Sequence, residues 1–257
     1  MNKEAEPTFW EHLDILRNYI LQTLIVALGC GVLAFAFKEE LFSIILAPKD
    51  SQFITYRWLG FPPFRLELIN VGLTDPFMIH LKTTLYFALI GVSPYLLFQL
   101  YRFISPALYR NEQRCAVYVA GSGYVMFLIG MLVNYFLIFP LTVRFLGTYE
   151  LSPEVKNMIS MQSYIDTLLM MSLIFGVVFE IPVISWLLAS FGLLRASWMK
   201  KYRRHAIVVI LILAAIITPT ADIFTLLIVS LPIWLLYEVS IRLVMLTRPK
   251  NSSPKDL

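Results

Sequence analysis

The apolar residues of this chain fall into six blocks that are separated by short polar or charged segments. Blocks of 19 or more residues can cross about 30 Å of hydrocarbon as an α-helix. The first four blocks are long enough for this and cover about residues 19–37, 76–103, 115–139 and 163–191.

The last two blocks, residues 206–217 and 223–241, are shorter in their strictly apolar parts, and the tight linker 218–222 joins them. We interpret them as a short transmembrane hairpin that thins the bilayer locally, with a pair of re-entrant loops as the alternative. The pattern therefore predicts an all-α polytopic membrane protein with six transmembrane helices, the last two short. Residues 1–248 are predicted to form a single domain, and the polar tail 249–257 is predicted to be disordered.

The distribution of Lys and Arg predicts the orientation in the membrane. Fourteen of these residues lie in the N-terminal segment, the 102–114 and 192–205 connections and the C-terminal tail, against six in the alternate connections. Because cytoplasmic loops of membrane proteins carry the excess of basic residues, both termini are predicted to be cytoplasmic. Topology explains the net charge of +4, and we expect no nucleic acid partner.

The composition supports the membrane interpretation and gives no sign of a cofactor or metal. The chain is 58% hydrophobic and 15% charged, whereas soluble domains carry about a quarter charged residues. Cys30 and Cys115 lie at different depths of different blocks, too far apart for a disulfide. We expect both thiols to be free. The three histidines lie in separate segments and form no ligand cluster.

The two longer connections on the opposite side, residues 38–75 and 140–162, are predicted to be ordered. The first of them is rich in aromatic residues and prolines, which are typical of an interfacial layer. We expect these residues to form an ordered cap: Phe53, Tyr56, Trp58, Phe61, Pro62, Pro63 and Phe64.

Glu180 is the clearest ionisable residue inside an apolar block. A carboxylate at this depth is costly in lipid and normally faces a cavity, a partner or water. Pro182 follows it and should bend the helix, because proline removes an intrahelical hydrogen bond. The sequence allows either a functional group or a structural polar pair between helices here, and we favour the functional one.

Other candidate acids lie in the segments predicted to be cytoplasmic. Glu11 and Asp14 are three residues apart on a predicted amphipathic N-terminal helix, so they share one face. Glu112 lies in the connection between the second and third blocks, whose other charges are basic. Taken alone, the position of Glu112 in this connection is typical of an ordinary solvated loop residue.

Five motifs, in order along nearly the whole chain, resemble the TatC family, the multispanning subunit of the twin-arginine protein translocase. The family motif H-L-x-E-L-R is matched by His12-Leu13-Asp14-Ile15-Leu16-Arg17. The other matches are Asp75-Pro76-Phe77 with Lys82, the stretch 99–109 (QLYRFISPALY) with Glu112, 179–182 (FEIP), and Thr218-Pro219 with Asp222, Pro232 and Tyr237-Glu238.

The resemblance implies a non-enzymatic receptor that binds twin-arginine signal peptides of folded cargo proteins at the cytoplasmic face. It implies a multi-pass protein of the bacterial inner membrane, single-span partner subunits of the TatA/TatB type, a homo-oligomer within the complex, and transport driven by the proton-motive force. The implied signal-peptide residues are Glu112, Glu11, Asp14 and Arg17. Thr218, Pro219 and Asp222 are implied in docking a partner helix.

One position departs from the family pattern: Ile15 stands where many relatives carry a second signal-binding glutamate. Glu11 or Asp14 must then substitute, and we favour Glu11. Its longer side chain reaches the same helix face four residues away, whereas Asp14 points about 100° around the helix.

Two other classes of function compete with this interpretation. A secondary transporter would use Glu180 as its proton or ion site, but it should place several polar groups near mid-membrane. An intramembrane enzyme would need a catalytic motif, and the blocks carry none of the common hydrolase or protease patterns.

Overall fold

The computed structural model describes residues 9–104, 113–149, 158–218 and 222–247, and for residues 9–12, 100–104 and 113–120 the backbone alone. The described elements are almost entirely helical. The helices are α1 (Phe9–Ala36), α2 (Lys38–Leu46), α3 (Ile54–Trp58), α4 (Asp75–Ile104), α5 (Gln113–Val133), α6 (Phe139–Thr148), α7 (Met161–Val178), α8 (Ile181–Ser190), α9 (Ala196–Lys201), α10 (Arg203–Ile217) and α11 (Ile223–Leu246).

Five stretches in the described part are long and apolar enough to cross a membrane. They are Leu13–Ala36, Asp75–Gln99, Gly121–Thr148, Met161–Ser190 and Ile223–Leu246. The predicted short fifth span corresponds to α10, which has 15 residues. The prediction that the last helix is also short is wrong, because α11 runs for 24 residues.

Two predicted boundaries also differ from the structure. The predicted amphipathic N-terminal helix and the first span form one continuous helix, α1. The third span does not end near residue 139, because a π-helical turn, Asn134–Ile138, joins α5 directly to α6. Pro140 lies in the first turn of α6, directly after the π-helical turn, and the helix continues through it.

The chain divides into two compact units, one of residues 1–41 with 80–124 and the other of residues 42–79 with 125–257. In the first unit, α1 packs antiparallel to α4. The rings of Phe35 and His80 stack with centroids 4.3 Å apart. Gly91 lies against Cys30, where an added Cβ would come 3.1 Å from the sulfur. Cys30 is a free thiol, as predicted, and the side chain of Cys115 lies outside the description.

In the second unit, α5 and α7 approach each other closely because glycines line their contact. A Cβ added at Gly130 would lie 2.5 Å from the Phe175 carbonyl oxygen, and one at Gly176 would lie 2.7 Å from the Phe127 ring. Beside them, the fully buried Asn134 donates from Nδ2 to Oγ of Ser172 at 2.8 Å. Small residues and polar pairs of this kind are the usual means of helix association in lipid.

The predicted aromatic cap is ordered around Tyr56, which is 1% exposed. The Tyr56 hydroxyl lies 2.9 Å and 3.0 Å from the carbonyl oxygens of Pro48 and Pro140, to which it donates. Burial raises the pKa of this hydroxyl, against a smaller lowering by Arg144, so it stays protonated and able to donate. The Arg144 guanidinium lies 3.4 Å above the Phe61 ring, a cation–π contact.

A two-residue parallel β-pair was not predicted from the sequence. Leu68–Ile69 (β1) pairs with Ile159–Ser160 (β2), so the two long connections are joined by backbone hydrogen bonds. Such a short pairing leaves no sequence signal, because two residues carry no periodicity.

Candidate functional site

Asp14 and Arg17 form an exposed ion pair on α1. Their side chains are 69% and 70% exposed, and the closest charged atoms lie 3.5 Å apart. Exposed pairs of this kind contribute little to stability, because water and salt screen them. Both groups are therefore accessible and can exchange this contact for one with a ligand.

The other predicted signal-peptide residues are only partly described. Glu11 lies in the first turns of α1, as predicted, but its side chain is outside the description. Glu112 lies outside the described residues, immediately before α5 begins at Gln113. Ile15, the position that departs from the family pattern, is 38% exposed on the same helix as Asp14.

Glu180 lies at a break between two helices, as Pro182 predicts. Helix α7 ends at Val178 and α8 begins at Ile181, with Glu180 as the residue that precedes it. The residue is half-buried, and its Oε1 is buried with no hydrogen-bond partner among the described residues. A structural polar pair was the alternative explanation for this acid, and the described part of the chain provides no donor to Oε1 that would support it.

Thr218 and Asp222 make local contacts at the ends of α10 and α11. The Thr218 hydroxyl donates to the Ala214 carbonyl at 3.0 Å. Asp222 caps α11, since its Oδ1 accepts the Thr225 N–H at 2.8 Å and its Oδ2 accepts the Thr225 hydroxyl at 2.5 Å. A capping carboxylate fixes where a helix begins. Pro219 lies outside the described residues.

Glu238 pairs across helices rather than within its own. Its Oε2 lies 2.6 Å from Nη2 of Arg203, at the start of α10. Arg242 lies four residues after Glu238, at the spacing of an intrahelical pair, but the ion pair that the structure shows is the one with Arg203. The Arg203 guanidinium neutralises the acid within α11. The Tyr237 hydroxyl adds a bond of 2.8 Å to the carbonyl of Met199.

One polar cluster was missed by sequence reasoning, although Gln99 opens a family motif. Gln99 on α4 donates from Nε2 to Oε1 of Gln22 on α1 at 2.9 Å and to the Tyr95 hydroxyl at 2.7 Å. The Tyr95 hydroxyl donates to the same Gln22 oxygen at 3.2 Å. The available signal was two glutamines inside apolar blocks, one in each of two successive spans.

Among the described residues, no group of three or more His, Cys, Asp or Glu side chains is arranged to hold a metal ion. The sites that the structure does show are an exposed charged patch on α1, a buried acid at a helix break and a polar cluster between α1 and α4. Each of the three places polar or charged side chains where a ligand or a partner helix could meet them.

Comparison with known proteins decides the family. A family model described as Sec-independent protein translocase protein (TatC) matches residues 11–232, which is most of the chain. The chain belongs to the TatC family. The TatC proteins of Koribacter versatilis and Aquifex aeolicus are 34% and 32% identical to it over 95% of this chain, and the matches cover 87% and 98% of those proteins.

Solved TatC structures have the same fold. Two crystal structures of the twin arginine translocase receptor TatC, one of them in the detergent DDM, match with TM-scores of 0.75 and 0.76 at 31% identity. The matches cover 92% and 90% of this chain, and 99% and 98% of those structures. Membership of the TatC family confirms the predicted multi-pass helical fold and the predicted function as a non-enzymatic subunit of a protein translocase.

Proposed function

We propose that this TatC chain is the receptor subunit that binds the twin-arginine signal peptides of folded cargo proteins at the cytoplasmic face of the bacterial inner membrane. The observation that carries the proposal is the exposed charged patch at the start of α1, where Asp14 and Arg17 are accessible, on a fold that matches the twin arginine translocase receptor.

The chemistry of the ligand supports carboxylates as the recognising groups. A guanidinium presents its N–H donors in a planar fork, which a carboxylate accepts through two parallel hydrogen bonds. Lysine places a point charge on a flexible stem and cannot form that fork. Carboxylates held near the peptide therefore distinguish twin arginine from twin lysine, and we assign Glu112 and an acid of α1 to this role.

The second acid is proposed to be Glu11 rather than Asp14. Ile15 cannot accept a hydrogen bond, so a neighbour on α1 must do so. Asp14 already lies 3.5 Å from Arg17, and this contact competes with a peptide guanidinium for the same oxygens. This exposed contact is weak and exchangeable, so the preference for Glu11 rests mainly on its longer side chain.

The partner subunits are proposed to be single-span Tat proteins of the TatA/TatB type, together with further copies of this chain. Thr218, Pro219 and Asp222 are the proposed docking residues for a partner helix. The cap by which Asp222 fixes the start of α11 supports this, because it orders the first turn of the helix next to the linker. Cargo export by the assembled complex is proposed to use the proton-motive force.

Affinity for a twin-arginine peptide, measured in nanodiscs at fixed salt with a twin-lysine peptide as control, tests the proposal. Glu112→Ala should weaken binding about ten- to a hundredfold, the effect of losing a charged hydrogen bond. Glu11→Ala should also weaken it, and adding Ile15→Glu to that variant should restore binding.

Two outcomes would contradict these assignments. Equal affinity of the unaltered protein for twin-arginine and twin-lysine peptides would refute the receptor function. Normal binding by Glu11→Ala, Asp14→Ala and the double variant would refute the substitution at position 15, so that Glu112 and backbone carbonyls would have to suffice.

A second candidate function is a proton-coupled secondary transporter, which the buried, unpartnered Oε1 of Glu180 favours. Such transporters collect several polar groups at one site near mid-membrane. About one helical turn before Glu180, at Gly176, the helices pack closely through a glycine. The fold matches the twin arginine translocase receptor, so the receptor remains the better supported function.

A further inference from the structure

The connection 192–205 is strongly basic and carries no acidic residue. Its five cations are Arg195, Lys200, Lys201, Arg203 and Arg204, and all five are exposed. Among the described residues, Arg203 alone of the five has a carboxylate partner, Glu238 at 2.6 Å. Cations crowded into one short segment repel each other. The surface of this connection therefore favours an anion from outside the chain.

Contacts with α11 hold the basic connection in place. The Tyr237 hydroxyl donates to the Met199 carbonyl at 2.8 Å, and Met199 packs in a buried cluster with Ile241 and Val244. Trp198, the neighbour of Met199 on α9, is exposed instead. Basic residues beside an exposed tryptophan are typical of a segment that lies at a membrane surface. The cations are thus presented from an ordered part of the molecule, at the level of the lipid headgroups.

An open cavity of about 430 Å³ lies where the basic connection enters α10. Its lining residues are Arg204, His205, Val208 and Val209. Each valine follows one of the two polar residues by four positions, so each pair is adjacent on the helix surface. Tyr202 extends the polar end, because its ring lies 5.6 Å from the His205 ring and 5.9 Å from the Lys201 ammonium. The cavity is therefore polar at one end and apolar at the other.

The apolar end of the cavity continues along α10. Val208, Ile212 and Ile216 lie four residues apart, so successive side chains are neighbours, and each is more than half exposed. From Arg204 to Ile216 the helix rises about 18 Å, which is close to the roughly 15 Å of hydrocarbon in one leaflet. A cation at the end of an apolar stripe of this length matches a phospholipid, whose phosphate lies at the end of its acyl chains.

We propose that Lys201, Arg204 and His205, together with Val208 and Val209, form a binding site for an anionic phospholipid. The phosphate accepts hydrogen bonds from the Arg204 guanidinium and the Lys201 ammonium, and an acyl chain lies against the valines. A zwitterionic headgroup adds a cation to its phosphate, and the basic connection repels that cation. A soluble phosphate would leave the apolar end of the cavity uncovered. The site is separate from the residues assigned to signal-peptide binding and does not rest on that function.

Four variants separate the charge of the site from its apolar part. Lys201→Gln combined with Arg204→Gln removes two charges at exposed positions, where folding does not depend on them. Arg204→Lys keeps the charge and is the conservative variant. Val209→Phe narrows the cavity and retains every basic residue. Arg57→Gln is the matched control, because Arg57 is an exposed arginine on α3, in the connection predicted to lie on the opposite side of the membrane.

Native mass spectrometry of the full chain in detergent measures the dissociation constants of phosphatidylglycerol and phosphatidylcholine. The unaltered protein should bind phosphatidylglycerol at least about fivefold more tightly, and each charge removed should weaken that binding about fivefold. The double glutamine variant should therefore lose the preference, whereas Arg204→Lys and Arg57→Gln should keep it. Val209→Phe should weaken phosphatidylglycerol binding on the order of fourfold, the effect of displacing one methylene from the cavity.

Two further measurements identify the source of the phosphate and exclude an effect of misfolding. Glycerol 3-phosphate has the phosphate without the acyl chains, so at equal concentration it should fail to displace phosphatidylglycerol. Phosphatidylglycerol should raise the unfolding temperature of the unaltered protein and of Arg57→Gln, because a ligand of the folded state stabilises it. It should leave the unfolding temperature of the double glutamine variant unchanged.

Several outcomes would overturn the proposed site. Equal affinity for the two lipids, or a preference retained by the double glutamine variant, would refute it. A loss in Arg57→Gln as large as in the double variant would show a general attraction of charge with no defined site. Displacement by glycerol 3-phosphate would show a site for soluble phosphate, and unchanged affinity in Val209→Phe would place the lipid elsewhere.

Discussion

At Glu180, backbone geometry and side-chain chemistry have a common cause. Pro182 has no N–H, so the carbonyl of Val178 receives no bond from it and α7 ends at that residue. Ile184 still donates to the Glu180 carbonyl at 2.9 Å, which starts α8. The helix break lies inside an apolar span, and Glu180, the acid of that span, lies at the break.

Replacing this acid should affect transport more than folding. Glu180→Gln keeps the shape and hydrogen-bonding capacity but removes the charge, so we expect normal insertion with cargo export reduced about tenfold, the effect of losing one charge-assisted bond to a transport partner. Export rate and membrane level of the protein are the measurements. Unchanged export by both Glu180→Gln and Glu180→Ala would leave a purely structural role.

At the residue scale, the sequence predicts which residues are unusual but not which residues they contact. Glu180 and the Asp14–Arg17 segment are recognisable because charge beside an apolar block is costly. The partners of Gln22 and Glu238 depend on how two helices are aligned along each other. A single sequence carries no such alignment, which is why Arg203 was missed as the partner of Glu238.

At the scale of helices, the contact of α5 with α7 depends on the absence of a side chain at Gly130. The Phe175 carbonyl and the Cβ of Phe179 occupy the space that a methyl group would need. Glycine in a helix costs about 0.5–1 kcal/mol relative to alanine, so the helix itself gains nothing from it. Close approach of the two helices is what Gly130 provides.

Gly130→Ala should therefore lower stability by about 1–3 kcal/mol, the usual cost of overpacking a filled contact. Gly121→Ala is the matched control on the same helix, because nothing lies within 4 Å of an added Cβ there. It should be neutral or stabilising by up to about 1 kcal/mol. Thermal unfolding in detergent measures both, and equal stability of the two variants would contradict the packing role.

Helix positions follow from the apolar blocks, but helix ends follow from contacts. The predicted second span, residues 76–103, matches α4 (Asp75–Ile104) because polar segments flank it on both sides. The third and sixth spans were predicted to end near residues 139 and 241, whereas α6 ends at Thr148 and α11 at Leu246. Arg144 stacked on Phe61 and Glu238 paired with Arg203 allow charged residues within these helices, and neither pairing is visible in the local pattern.

At the scale of the whole molecule, the apolar blocks predict the order of the membrane spans, and the motifs identify the family. The motifs identified from the sequence extend from His12 to Glu238, and the family model matches residues 11–232. The orientation is an independent prediction, since it rests on Lys and Arg counts rather than on packing. The division into two compact units left no mark in the sequence, because its boundaries fall within helices α2, α4 and α5.

Reporter fusions test the orientation and the six crossings together. Fusions after Gln52, Met158 and Thr220 should report the outside, and those after Asn111, Met199 and the C-terminus should report the inside, because the excess of basic residues stays cytoplasmic. Alkaline phosphatase activity marks the outside and a fluorescent protein marks the inside.

Thr220 is the most demanding position, because α10 has 15 residues, which give about 22 Å of helix against about 30 Å of hydrocarbon. An inside signal at Thr220 alone would identify a re-entrant pair in place of the hairpin. An inside signal at Met158 would refute the count of six spans. Reversal of all six signals would refute the predicted orientation.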